Sequence, residues 1–273
     1  MCSSDLCIAR SARETVAVDT PALRATSLMP ANGPSIKTVK ACKLSQLHVN
    51  TMQTLHGYET FHKSPEGGAL ITQAKMRKIV GEIAEIDKRF ASVIDASELC
   101  DIGTSNPERS HFESLVSSVI SQQLATAAAR TIKERFVLEC GKVTPKNVAA
   151  MNIEDMRAAG LSGAKSKTIL GLASAALEKR VDFKSLHDMN DEDVYKDLTS
   201  LWGIGPWTVD MFMMFQLGRL DIWPTGDLGV RRGWEKVHKL KEEITPDELL
   251  KKGEKFKPHR SIVAWYCWRA LDI

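Results

Sequence analysis

From Ile71 to its end, the chain repeats apolar residues at helical spacing and almost never alternates them two by two. A period of 3.6 buries one stripe of a helix, whereas a half-buried strand needs a period of two. The pattern therefore predicts an all-α fold and argues against any sheet-based one. In His111–Ile120, for example, Phe112, Leu115, Val116 and Val119 fall on one helical face. Ala164–Leu177 shows the same spacing behind a turn bracketed by Gly160 and Gly163. The breaks carry helix-start chemistry. Thr144-Pro145, Asn152, Asn190 and Thr245-Pro246 each offer a side-chain oxygen for an N-cap. Two of them add a proline at the first helical position. About ten helices of ordinary length fit the span.

Residues 1–70 differ in kind. They contain Pro21, Pro30 and Pro34, abundant Ser and Thr, and Tyr58 and Phe61 as their only aromatics. Such a stretch cannot bury enough apolar surface to offset its ordering entropy. It is expected to be mostly disordered, apart from a short pairing allowed near Phe61, leaving 71–273 as the folded unit. Its charges are too balanced for a transit peptide, and it lacks the compact apolar core of a secretory signal. No apolar run of about 18 residues occurs, so no spanning helix is expected. The six Cys are scattered, which supports neither a disulfide framework nor a zinc site and fits a reducing compartment. With 37 basic and 34 acidic residues, the chain is no polycation, and any affinity for nucleic acid must come from local placement. The placement is uneven: Gly229–Arg260 is rich in Lys and Arg, and all six Trp lie between Trp202 and Trp268.

Two segments in that region carry chemistry. Leu198–Thr208 contains Gly203-Ile204-Gly205-Pro206-Trp207-Thr208 between two helical stretches, Asn190–Leu201 and Trp207–Leu217. Two Gly around an apolar Ile allow a tight turn with positive φ and bare backbone. Its amides would then face outward at a helix start, where partial positive charge attracts phosphate. A generic helix–helix turn has the same residues, so this motif alone leaves both meanings open. Some 20 residues on comes Pro224-Thr225-Gly226-Asp227-Leu228-Gly229-Val230-Arg231-Arg232-Gly233, one carboxylate at the mouth of a new helix. The positive end of that helix complements a negative Asp227, which would serve equally as an N-cap or as a reacting group.

Together, Gly203–Thr208 and Pro224–Gly233 resemble the helix–hairpin–helix DNA glycosylase superfamily. The likeness extends over roughly residues 75 to 271. Gly160-Leu161-Ser162-Gly163-Ala164-Lys165 and the tail Lys257–Arg269 are similar to the branch that removes alkylated bases of the 3-methyladenine type. The resemblance implies two helical subdomains flanking a DNA cleft, one of about 110–217 and one made of 71–109 with 218–273. It implies Asp227 as the catalytic carboxylate, stabilising positive charge on the deoxyribose as the base leaves and directing water at C1′. At Trp207, family members that also cut the backbone have a Lys, which attacks the sugar. Here an indole would stack on a cationic alkylated purine, so hydrolysis without strand cleavage is expected. Trp223 and Trp265 are further candidates for the base pocket, and each fits plain core equally well, as does Trp202.

The resemblance also implies an intercalating loop at Ser121-Gln122-Gln123-Leu124, with Gln123 and Leu124 as wedges that fill the gap left by a flipped nucleotide. A pair of surface Gln before a core Leu is the plain alternative. Gly203, Ile204 and Gly205 would grip the DNA backbone, and Lys165, Lys167 and Arg231 are candidates for phosphate contact. Arg231 and Arg232 would serve equally to pair with acids. Only Cys267 lies downstream of Asp227, so the iron–sulfur cluster of other branches cannot form. No cofactor and no catalytic metal are expected, although the family implies a monovalent cation at the hairpin carbonyls. The expected partner is double-stranded DNA carrying alkylated bases, bound by a monomer, in the nucleus or an organelle. Two other functions compete: a helix–hairpin–helix module that only binds DNA, and a glycosylase for a different damaged or mismatched base.

Overall fold

A computed structural model describes residues 70–273; the expectations for residues 1–69 lie outside this range. The described residues form twelve α-helices with short 3-10 turns and no strand. In chain order these are α1 (Gln73–Ile86), α2 (Ala91–Ala96), α3 (His111–Ser121), α4 (Thr126–Cys140), α5 (Pro145–Ala149) and α6 (Ile153–Ala158). They continue with α7 (Gly163–Leu177), α8 (Asp191–Thr199), α9 (Pro206–Phe215), α10 (Leu228–His238), α11 (Pro246–Gly253) and α12 (Arg260–Asp272). The count exceeds ten because α2, α5 and α6 are single-turn or near single-turn helices, too short to show a period. No helix among the described residues is long and apolar enough to cross a membrane.

The expected caps form. Thr144, Asn152, Asn190 and Thr245 each accept an N–H from the third residue on, and Thr245 completes a capping box with Glu248. Ser162 does the same for α7. By contrast, α9 starts at Gly205-Pro206 with no side chain on its first amides.

Helices α3, α4, α7, α8 and α9 pack on one another, with α5 and α6 laid against α7. The first two described helices, α1 and α2, pack instead with the last three, α10 to α12. One network ties these helices together: buried Asp87 accepts from His238 Nε2 (3.0 Å) and Lys255 Nζ (2.9 Å). Burial pushes that carboxyl upward, but the hydrogen bonds from Lys255, His238 and Arg89 outweigh it and bring its pKa down to about 2.

Helices α10 and α12 approach closely. Gly229 and Gly233 lie one turn apart on α10 and face α12. A Cβ on Gly233 would come within 1.8 Å of the Cys267 carbonyl oxygen, and one on Gly229 within 2.9 Å of the Trp268 ring. Backbone cannot yield as a flexible side chain can, so any larger residue at 233 must push the two helices apart. Gly233→Ala is therefore expected to destabilise the protein by about 2–3 kcal/mol or more. Urea unfolding of parent and variant measures this.

Candidate active site

Asp227 is the N-cap of α10: its Oδ1 accepts the Val230 amide at 2.8 Å. It is also clasped by two indoles. Trp207 Nε1 donates to Oδ2 at 2.6 Å, and Trp268 Nε1 donates to Oδ1 at 2.9 Å. The residue is only 2% exposed. Each element contributes through a sequence feature. Pro206 starts α9 so that Trp207 falls in its first turn. The close α10–α12 approach at the two glycines brings Trp268 under the carboxylate, where its ring also packs on Phe215 at 5.9 Å. Oδ1 thus has both lone-pair sites engaged, while Oδ2 holds one donor and keeps capacity for another. A buried carboxylate held from three directions is fixed in place, with one oxygen left for a ligand.

A second carboxylate stands close by. Asp210 lies one turn after Trp207 on α9 and has no hydrogen bond or ion pair to a described residue. Burial first, and then the negative charge of Asp227, push its pKa up to about 7. Tyr195 on α8 is raised in turn, by burial and by Asp210. Cys267 lies fully buried near Asp227, and burial together with that charge holds its thiol well above the ordinary range. The reading of the sequence missed Trp268 and Asp210. Trp268 stood inside the tail motif but carried no mark separating it from Trp265, and a lone Asp on a helix carries no signal at all.

The other tryptophans divide differently from expectation. Trp223 is enclosed against Trp234 and Gly253, and its Nε1 donates to the Leu249 carbonyl at 2.9 Å. It is core, with no face left for a base. Trp265 is 4% exposed and packs edge-on against Tyr266, so it too belongs to the core. Trp202 is neither core nor pocket wall: it is exposed, with Lys167 Nζ 4.3 Å above its ring. Of the three Trp expected to line the pocket, only Trp207 touches the carboxylate, and it is half-buried.

In the hairpin, Ile204 is buried as its apolar character demands. The two glycines do different work. Gly203 has φ +83, and a Cβ there would strike Thr168 Oγ1 at 2.1 Å. Gly205 has φ −95, so positive φ is not its reason; a Cβ there would meet open space. The amides of Gly203 and Gly205 bond to no described residue, whereas that of Ile204 bonds to Leu201. Two donors without a described partner beside an uncapped helix start are a geometry suited to an anion. The Gly203 carbonyl accepts from Gln122 Nε2, and that of Leu201 accepts from the Ile204 amide. Among the described residues, no group of three or more His, Cys, Asp or Glu is placed to hold a metal ion.

Two of the expected phosphate contacts instead meet the protein's own backbone. Lys165 Nζ donates to the carbonyls of Ile120 (2.8 Å) and Gln122 (2.7 Å), at the C-terminal end of α3. Orphan carbonyls at a helix end attract a lysine, and its burial lowers its pKa. Arg231 turns toward the Ile244 carbonyl (3.4 Å), and its Nε is buried. Arg232 pairs with Glu235 and Glu243. Of the proposed wedge residues, Gln123 is exposed and Leu124 is half-buried. Asp221, the nearest carboxylate before Pro224, is paired with Arg260 through Nε (2.7 Å) and Nη2 (2.9 Å).

Comparison with known proteins identifies the family to which this hairpin and clasped aspartate belong. Residues 116–259 match the family model for HhH-GPD superfamily base excision DNA repair proteins. The chain belongs to this family. It is 31% identical over 192 residues, 68% of its length and 90% of the relative's, to the alkylbase DNA glycosidase-like protein mag2 of Schizosaccharomyces pombe. A DNA-3-methyladenine glycosidase from Bacillus halodurans superposes with TM-score 0.63 at 31% identity, covering 70% of this chain and 88% of that one. The S. pombe 3-methyladenine DNA glycosylase, solved in complex with abasic DNA, gives 0.62 at 29% identity, covering 73% and 97%.

The pairing of the two carboxylates can be tested without substrate. Replacing Asp227 with Asn removes the like charge and leaves the burial of Asp210, so the Asp210 carboxyl should titrate below about 7. Carbon-13 NMR of the aspartate carboxyls, followed against pH in parent and variant, shows the shift.

Proposed function

We propose that the protein is a monofunctional DNA glycosylase that releases alkylated bases of the 3-methyladenine type from duplex DNA, the first step of base excision repair. The observation that carries this is the Trp207–Asp227–Trp268 arrangement beside the hairpin. A module that merely bound DNA would need the hairpin and have no use for a buried carboxylate held from three sides.

The chemistry follows from charge. As the N-glycosidic bond breaks, positive charge grows on the deoxyribose. A fixed carboxylate at C1′ stabilises that charge more than it stabilises the ground state. Asp227 Oδ2, with its remaining acceptor site, is the oxygen suited to face the sugar and to orient the attacking water. A purine alkylated on its ring is already cationic, so it departs without a proton from the enzyme. The half-buried Trp207 ring lies next to the carboxylate and offers a π-face to such a base. Gly203 and Gly205 give their free amides to a backbone phosphate, which positions the duplex without reading sequence. Gln123, at an exposed turn, and Leu124 fill the vacated stack. The duplex lies between the α3–α9 helices and the group formed by α1, α2 and α10–α12, and one copy of the chain suffices. The nucleus is the compartment that fits such a substrate.

Purified protein incubated with methylated duplex DNA should release methylated purines and leave abasic sites in unbroken strands. Trp207 has no nucleophilic amine, so breaks should appear only after alkali. Asp227→Asn should keep duplex affinity and lose base release by about 3–4 kcal/mol in barrier, some hundreds-fold or more. Near-parental turnover in that variant would refute the assignment.

A further inference from the structure

Residues Ser121–Leu124 form a β-turn closed by the Leu124 amide on the Ser121 carbonyl (3.2 Å). Gln122 has φ −50 and ψ 128, and Gln123 has φ 57. These are the angles of a type II turn, whose third position normally takes Gly because φ is positive. A glutamine there is uncommon, and such a conformation persists only where its surroundings enforce it.

The enforcing contacts are explicit. Lys165 grips the turn through the Ile120 and Gln122 carbonyls. The Gln122 side chain reaches across to the hairpin, its Nε2 lying 3.3 Å from both the Gly203 carbonyl and Thr208 Oγ1. A carbonyl only accepts, so the amide nitrogen must be the atom facing Gly203. One turn beyond Lys165 on α7, Thr168 packs directly on Gly203. A single helix face thus pins the turn with one residue and seats the hairpin with another, and Gln122 ties the two together. The exposed tip, Gln123, makes no part of this scaffold.

We propose that Lys165 and Gln122 are positioning residues for duplex opening. They hold the turn tip at a fixed offset from the phosphate-gripping hairpin, so that the wedge enters beside the one nucleotide that lies over Asp227. This rests on the function proposed above. It assigns the lysine to the enzyme's own backbone, where a phosphate contact had been expected.

If so, the brace matters in proportion to the cost of unstacking the target base. That cost is largest in a matched duplex and least for a mismatched base. The test is single-turnover base release by the full chain from one alkylated purine, placed in a matched pair or opposite a mismatch. In Lys165→Met and in Gln122→Ala, release from the matched duplex should fall about tenfold or more, and release from the mismatch should stay within about threefold. Lys165→Arg keeps donors for both carbonyls and should restore most of the matched rate. Thermal unfolding checks that each variant folds; if Lys165→Met does not, Gln122→Ala carries the comparison alone. Equal loss on both substrates, or no loss on either, overturns the proposal. Failure of the parent protein to release the base from either substrate would instead overturn the function on which it rests.

Discussion

A carboxylate held by two indole N–H groups and a helix-start amide is the interaction on which the rest of the structure depends. Asp227 is nearly inaccessible, and burying an anion without partners would be prohibitive. Its three donors come from three elements, α9, α10 and α12. To bring them together, α9 must begin at Gly205-Pro206 and α10 must approach α12 within glycine distance. The two glycines of α10 are thus as much a part of the site as the tryptophans. The same geometry leaves one oxygen of Asp227 with a free acceptor site, where a developing positive charge can be met.

Around this centre two small structures, the hairpin and the turn after α3, are each held by specific contacts. The hairpin owes its shape to Gly203 and its openness to Gly205, two glycines two residues apart with unrelated reasons for being glycine. The turn at Gln122–Gln123 is held in a conformation its sequence does not favour, by a lysine whose charge faces inward. Asp210, close to Asp227 and poised near neutrality, makes the local field depend on pH in the physiological range.

The helical class, the caps and the hairpin were legible in the sequence because each is set by local chemistry: a period, an N-cap oxygen, a Gly-Ile-Gly turn. Asp227 was legible as a helix N-cap for the same reason, and only the resemblance carried by the two motifs together singled it out as the reacting carboxylate. What stayed hidden depends on tertiary approach. Trp265 and Trp268 are indistinguishable in the string, and only the α10–α12 contact decides that Trp268 meets the carboxylate. Trp223 looked like a pocket wall until Gly253 and Leu249, distant in sequence, closed over it. Lys165 was a candidate for phosphate contact because it follows the Ser162-Gly163 turn at a helix start. Its true partners are carbonyls more than 40 residues earlier in the chain.

If the indole donors orient Asp227 for reaction and do more than pack beside it, removing one of them must slow base release. Trp268→Phe keeps the ring that rests on Phe215 and removes only the N–H that reaches Oδ1. A hydrogen bond to a charged group contributes about 1.5–3 kcal/mol, so the single-turnover rate of base release should fall roughly 10- to 100-fold. Duplex affinity should stay at the parental level, because the hairpin is untouched. A variant that folds, binds DNA and releases alkylated bases at the parental rate would contradict the account.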